Sequence, residues 1–209
     1  MKIRTSIIVI LVMVNVLLGG TLLLFLKKPE PKIVDTNVTI HEAIEQTASM
    51  EHPDFIKEEY ILILPEGENI ALKKKVKASD FNDVYTPRKV VDGIATGPSY
   101  WEGKANAYPN IITVDLEEES SIHAIRVCLS PMAIWGKRVQ TFSVLTSNDG
   151  DKFTELYPSK DYKFDPDTGN EVQFLFDNIS TRYVQLAFTG NTGAGGAQVA
   201  EFEIYSNGK

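Results

Sequence analysis

The chain has 209 residues, 43% of them hydrophobic, and a net charge of −7. That length holds one domain plus an extension, and the acidic balance excludes a general affinity for nucleic-acid backbones. The single cysteine, Cys128, excludes an intrachain disulfide and reads as a small core residue.

In chain order, residues 5–26 form a long apolar run containing Asn15, Gly19, Gly20 and Thr21, with Lys2 and Arg4 before it and Lys27 and Lys28 after it. It is long enough to span a bilayer as a helix. A cleaved signal peptide is the main rival, but the run is longer than a signal core and no small-x-small site precedes the lysines. Residues 1–28 are therefore expected to be a single-pass membrane anchor, with the rest of the chain extracytoplasmic. Residues 29–66 read as a juxtamembrane linker, stiffened by Pro29 and Pro31. Thr39-Ile40-His41-Glu42 has the form of a capping box. Ile40, Ala43, Ile44, Thr47 and Ala48 continue at helical spacing, which predicts a helix over about 40–50. Tyr60-Ile61-Leu62-Ile63-Leu64 predicts a strand bounded by Pro65-Glu66-Gly67. Residues 33–66 match no familiar domain and are the candidate docking segment for a protein partner.

Residues 67–209 are expected to be all-β. Lys73-Lys74-Lys75-Val76-Lys77 reads as an edge strand protected by lysines. Apolar residues then alternate with polar ones in six segments, around Ile112–Leu116, Ile125–Leu129, Phe142–Val144, Val172–Phe176, Val184–Phe188 and Phe202–Ile204. This is the period of half-buried strands. Asn148-Asp149-Gly150 is a hairpin signal, and no helical period intervenes, so a β-sandwich is preferred over a βαβ fold. Two separated stretches gain meaning together. The loop from Val90 to Trp101 carries Asp92, Thr96 and Ser99, and the last strand, near Ala200, carries Glu201. Their side chains, with carbonyls exposed in tight turns, can supply the hard oxygens that calcium takes, about six to eight in all; the alternative reading is a surface loop and an ordinary last strand.

The ordered set of motifs resembles a known family. Asn69-Ile70-Ala71-Leu72 with Val76-Lys77-Ala78-Ser79 is similar to the first strand of discoidin domains, also called coagulation factor V/VIII type C domains. Val91-Asp92-Gly93, Trp101, Ile112-Thr113-Val114-Asp115-Leu116 and the stretch from Phe142 to Gly150 follow in the family's order. Arg182-Tyr183-Val184-Gln185-Leu186 and Ala200-Glu201-Phe202-Glu203-Ile204-Tyr205 complete it. The resemblance spans about 69–206. Trp135-Gly136-Lys137-Arg138 and the glycine-rich 190–196 resemble a bacterial branch found beside polysaccharide-degrading enzymes, and the resemblance as a whole is to a family that includes the family 32 carbohydrate-binding modules. It implies a galactose-binding-like jelly-roll β-sandwich with a structural calcium. Carried over by position, its ligands would be the Asp92 and Glu201 side chains and the carbonyls of Lys89, Ile94 and Ala200. The loop before Trp101 is longer than the family's common form, which leaves Thr96 and Ser99 as rival hydroxyl ligands.

Catalytic signals are weak. His41, His52 and His123 are scattered without zinc spacing, there is no G-x-S-x-G elbow, and Cys128 has no base partner in sequence. Residues 190–196 are not a phosphate loop, because no Lys-Ser/Thr pair closes them. No catalytic residue is expected.

Binding is better supported. Sugars are met by exposed aromatic rings together with hydrogen-bonding side chains in a concave site. Trp135 and Arg138 lie beyond the strand ending near Leu129, Phe81, Asn82 and Tyr85 follow the first strand, and Asn191 sits on the glycine-rich loop. The resemblance implies ligands on loops at one end of the sandwich, so these six are the candidate glycan contacts. The opposing reading has Trp135 and Arg138 as structural residues. The expected function is a membrane-anchored, calcium-stabilised carbohydrate-binding module; the alternative is a non-catalytic subunit of a membrane or cell-surface complex. The family also includes lipid-headgroup binders with apolar spikes, for which Met132-Ala133-Ile134-Trp135 is the counterpart.

Overall fold

A computed structural model of the chain describes residues 60–208. The expected membrane segment at 1–28 and helix at 40–50 lie outside the described residues. Among the described residues no helix is long and apolar enough to cross a membrane.

Among the described residues nine strands follow one another: β1 (Glu68–Asn69), β2 (Lys75–Ala78), β3 (Trp101–Glu102), β4 (Asn110–Cys128), β5 (Arg138–Ser147), β6 (Thr154–Phe164), β7 (Glu171–Asn191), β8 (Gln198–Val199) and β9 (Glu201–Ser206). All the pairings are antiparallel. The long strands β4 and β7 pair twice. Asn110–Asp115 face Phe188–Tyr183, and Ala124–Cys128 face Leu175–Glu171, with register shifts between the two stretches. Each thereby serves two layers. Hydrogen bonds join seven strands in the order β1-β9-β4-β7-β5-β6 with β2 on β4, and the registers divide them into one layer, β2-β4-β7-β5-β6, and another, β1-β9-β4-β7, while β3 and β8 pair separately. The product is an all-β sandwich of antiparallel sheets, as a jelly roll requires.

Four of the six predicted segments are therefore halves of two strands. The acidic run Glu117-Glu118-Glu119, which reads as a turn, is the exposed corner of β4. Glu117 takes a positive φ of 74° there, its N–H donates to Asp115 Oδ1 at 2.8 Å, and Lys74 lies 3.2 Å from its carboxylate. The corner thus has its own local bonds and does not interrupt the strand.

Alternation delivers one core. Ile112, Val114, Val144, Leu186 and Phe188 come from the first layer, and Ile125, Val127, Phe202 and Ile204 from the second. Phe142 of β5 ties the layers together, with its ring 4.7 Å from that of Phe188 and 6.1 Å from that of Phe174. Each such fully buried ring contributes about 1.5–3 kcal/mol. Cys128 is buried in the same structure, and burial pushes its thiol up to about 12. Among the described residues β2 pairs only with β4, so the lysine-bearing strand lies at an edge of their sheet. Asn148-Asp149-Gly150 turns β5 into β6, with Asp149 Oδ1 accepting from the Asp151 and Lys152 N–H groups.

One expectation is corrected. Residues 60–64 are not a strand. Among the described residues they pair with no sheet edge, and they are held by side chains of β7: Gln173 Nε2 donates to the Ile63 carbonyl at 2.8 Å, and Tyr60 Oη donates to Glu171 Oε1 at 2.8 Å. An apolar run has strand propensity, but a strand also needs an open edge.

Candidate functional site

Trp101 positions the site. It is fully buried in β3, and its Nε1 donates to the Asp80 carbonyl at 3.2 Å. Neighbouring side chains in a strand point to opposite faces, so Tyr100 and Glu102 are turned away from the core. The register of β3 on β8 sets Glu102 opposite Gln198. Gln198 Nε2 donates to Glu102 Oε2 at 2.8 Å, and Gln198 Oε1 accepts from Arg138 Nη1. Asn82 Nδ2 donates to Glu102 Oε1 at 2.9 Å. A polar chain from Asn82 through Glu102 and Gln198 to Arg138 thus forms the base.

Aromatic rings stand beside that base. Tyr85 stacks on Tyr100 with centroids 4.2 Å apart, and Tyr100 meets Trp135 edge to face at 4.6 Å. The Arg138 guanidinium lies 5.1 Å from the Trp135 ring centre. Trp135 ends a short 3-10 turn, Ala133–Trp135, and Arg138 opens β5. Between them is a cleft of about 450 Å³, whose walls include Pro98, Tyr100, Trp135, Arg138 and Gln198. Gly193 closes one side: a Cβ there would come within 2.8 Å of the Arg138 Cζ. The bare backbone is what lets the guanidinium sit in the wall. Gly196 plays a similar part behind it, since its Cβ would lie 2.0 Å from the Gly103 carbonyl oxygen. Burial raises the Tyr100 phenol pKa, helped by the Tyr85 hydroxyl, and burial lowers that of Arg138, opposed by Glu102. At neutral pH the tyrosine is a neutral hydroxyl and the arginine a cation.

The six predicted contacts separate here. Trp135 and Arg138 form the cleft wall. Asn82 and Tyr85 stand behind it, bonded to Glu102 and stacked on Tyr100. Phe81 is exposed on the same loop but does not line the cleft. Asn191 uses both ends of its amide within the glycine-rich loop, donating to the Gly196 carbonyl and accepting from Gly193 N–H, each at 2.8 Å. Tyr100, Glu102 and Gln198 were not singled out from sequence. The first two carry a signal, alternation about a core tryptophan. Gln198 carries none, because only the β3–β8 pairing gives it a role.

The second cluster joins the 90s loop to β9. Glu201 is 1% exposed. Its Oε1 accepts from the N–H groups of Gly93 and Ile94 at 3.0 and 2.9 Å. The Ile94 N–H also reaches Asp92 Oδ1 at 2.8 Å, and Ser99 Oγ donates to Asp92 Oδ2 at 2.5 Å. Glu201 Oε2 is buried without a hydrogen-bond partner. Burial, and then the adjacent Asp92 carboxyl, push the Glu201 carboxyl up to about 8. An unpartnered buried oxygen beside a second carboxylate is an arrangement that a hard cation relieves, so these donors fit calcium. Of the two rival hydroxyls, Ser99 is half-buried against Asp92 and Thr96 is exposed. Lys89 and Ile94 lie on the same loop system, and Ala200 adjoins Glu201 with its N–H on the Cys128 carbonyl at 2.8 Å. Among the described residues, no group of three or more His, Cys, Asp or Glu side chains could hold a metal; a cation at Asp92 and Glu201 would draw its other donors from hydroxyl and carbonyl oxygens.

The F5/8 type C domain model matches residues 75–202. No curated protein matches the chain. Among solved structures, chitosan-binding module 1 of a chitosanase/glucanase from Paenibacillus sp. IK-5 is similar at 20% identity and a TM-score of 0.54, covering 66% of this chain and 99% of that one. The family 32 carbohydrate-binding module of AlyQ, in complex with 4,5-unsaturated mannuronic acid, is similar at 23% identity and a TM-score of 0.52, covering 63% and 93%. The family 32 module of NanJ from C. perfringens, in complex with galactose, is similar at 16% identity and a TM-score of 0.54, covering 64% and 94%. At these identities the neighbours establish the fold, while the family match covers well over half of the chain. This chain belongs to the F5/8 type C, or discoidin, domain family.

Proposed function

We propose that the chain is a glycan-binding module, that the cleft between Tyr100, Trp135 and Arg138 is its sugar site, and that a calcium ion at Asp92 and Glu201 stabilises it. The observation that carries the reading is the pairing of half-buried aromatic rings with a guanidinium and an amide in one open cleft. Aromatic faces suit the C–H faces of a sugar ring, and the Arg138 and Gln198 groups suit its hydroxyls. Similar modules have been captured with galactose and with an unsaturated mannuronic acid, which supports a sugar in this role. The apolar run before Lys27 supports an anchor at 1–28, placing the module on the outer face of a membrane. The full chain, tested with calcium on a panel of immobilised polysaccharides, is expected to bind one class saturably. Trp135→Ala is expected to lose that binding at least about tenfold, with melting lowered by only a few degrees. Saturable binding that survives the substitution would remove the cleft from the reading.

A second reading has its own observation. Ile61 and Ile63 are 76% and 74% exposed on the segment held against β7. Such residues suit a protein partner, and a folded chain that binds no polysaccharide would favour docking through this segment.

A further inference from the structure

We infer that the ligand of the cleft is a glycan carrying a carboxylate, recognised by Arg138. This rests on the reading of the cleft as a sugar site and adds the charge of its ligand.

The cleft differs in charge from the rest of the molecule. The chain carries a net −7, yet among the described residues the one charged side chain lining this cleft is a cation, Arg138. Other basic side chains nearby or buried are neutralised. Arg126 is paired with Glu171 and Glu203, Arg182 with Asp115, and Lys137 with Asp165 at 2.9 Å and Asp167 at 3.2 Å. Arg138 has no such partner: among the described residues it forms no ion pair. Its direct contacts are the Gln198 amide oxygen and the face of Trp135, and its Nε is buried without a hydrogen-bond partner. Glu102 is the nearest acid in the polar chain, but Gln198 stands between them, and both Glu102 oxygens are occupied by Asn82 and Gln198.

A second cation, Lys89, is bonded to a residue of the cleft wall. Lys89 is half-buried, donates from Nζ to the Pro98 carbonyl at 3.0 Å, and lies 5.4 Å from the Tyr85 ring centre. Among the described residues it too forms no ion pair. Pro98 itself lines the cleft.

The half-buried Arg138 guanidinium reaches its nearest carboxylate, Glu102, only through Gln198, and a ligand carboxylate would give it a direct counter-ion. The planar fork of arginine matches a carboxylate in shape as well as charge. A neutral sugar would offer Arg138 only hydroxyls and no direct counter-charge. The rings of Tyr100 and Trp135 would hold the sugar face, while Arg138 selects the acid. Charge-assisted bonds exceed neutral ones by enough to make the preference about tenfold or more.

The test compares trigalacturonate and trimannuronate with their carboxyl-reduced, neutral counterparts, by calorimetric titration of the full chain at one fixed calcium concentration. The expected result is binding of at least one uronate about tenfold or more tighter than its neutral form, with the gap narrowing as sodium chloride is raised. Arg138→Gln should abolish the gap and Arg138→Lys should retain part of it, with melting curves showing that both variants are folded. Equal affinity for charged and neutral forms overturns the inference and leaves the sugar site standing. The same holds if neither series binds but another neutral glycan does, with loss in Trp135→Ala. Absence of binding to any glycan overturns both.

Discussion

Glu201→Gln probes the cation site at a single atom. Glu201 Oε2 is buried, accepts from no donor among the described residues, and lies beside the Asp92 carboxyl. Its carboxyl is pushed from the ordinary 4.5 up to about 8, first by burial and then by Asp92. The folded state therefore keeps a proton that the unfolded chain releases near 4.5. The stability tied to that proton is complete below 4.5 and is lost as pH rises through about 8, at up to about 1.4 kcal/mol per pH unit within the window. Glutamine is isosteric and neutral. It keeps an acceptor for the Gly93 and Ile94 N–H groups and offers Asp92 a donor. In chelator above pH 8, the variant should match or exceed the wild type by about 1–3 kcal/mol. Calcium should reverse that order. At a hundred times its dissociation constant, a ligand bound only by the native state contributes about 2.7 kcal/mol, or about 5–10 °C in melting temperature for a domain of this size. Thermal melts followed by circular dichroism, with chelator and with excess calcium at pH 6 and pH 8.5, give the four comparisons. If wild type and Glu201→Gln respond identically to calcium, or neither responds, the cation reading fails.

Two further substitutions test the framework. Arg126→Met leaves the carboxylates of Glu171 and Glu203, 3% and 14% exposed as side chains, without their cation; it should cost about 3–5 kcal/mol in urea unfolding, and a loss below about 1 kcal/mol would show that the cluster is relieved in another way. Asp115 is held below its ordinary 3.8, first by the hydrogen bond from Arg182 and also by the Glu117 N–H. Stability from a depressed carboxyl is present above the ordinary value and lost as pH falls through the folded one. Arg182→Gln should therefore be less stable than wild type at pH 7, with the difference closing well below pH 3.8, and a difference unchanged across that range would contradict the assignment.

The β character, the lysine-protected edge and the hairpin at Asn148-Asp149-Gly150 are local properties, and the chain displays them residue by residue. The halves of β4 and β7 were harder to join. Glu117–Glu119 looks like a turn because polar residues interrupt the apolar alternation, and nothing local shows that hydrogen bonding resumes at Ser120 opposite Thr181. Residues 60–64 erred the other way: their apolar run has strand propensity, but whether an edge is free depends on every other strand.

The sites divide along the same line. Asp92 and Glu201 stand out in sequence because carboxylates beside a tight loop and in an apolar strand need a reason to be there, and the family pattern pairs them. Trp135 and Arg138 stand out as an aromatic and a cation in one loop. The sequence by itself determined the alternation that builds the sandwich and the residue types that can bind. Tertiary structure alone decided that Gln198 bridges Glu102 to Arg138 and that Tyr100 meets Trp135, and it left Phe81 and Asn191 outside the cleft. The reason is physical: pattern and propensity act over a few neighbouring residues, whereas a binding cleft depends on the register between β3 and β8, whose partners lie almost a hundred residues apart.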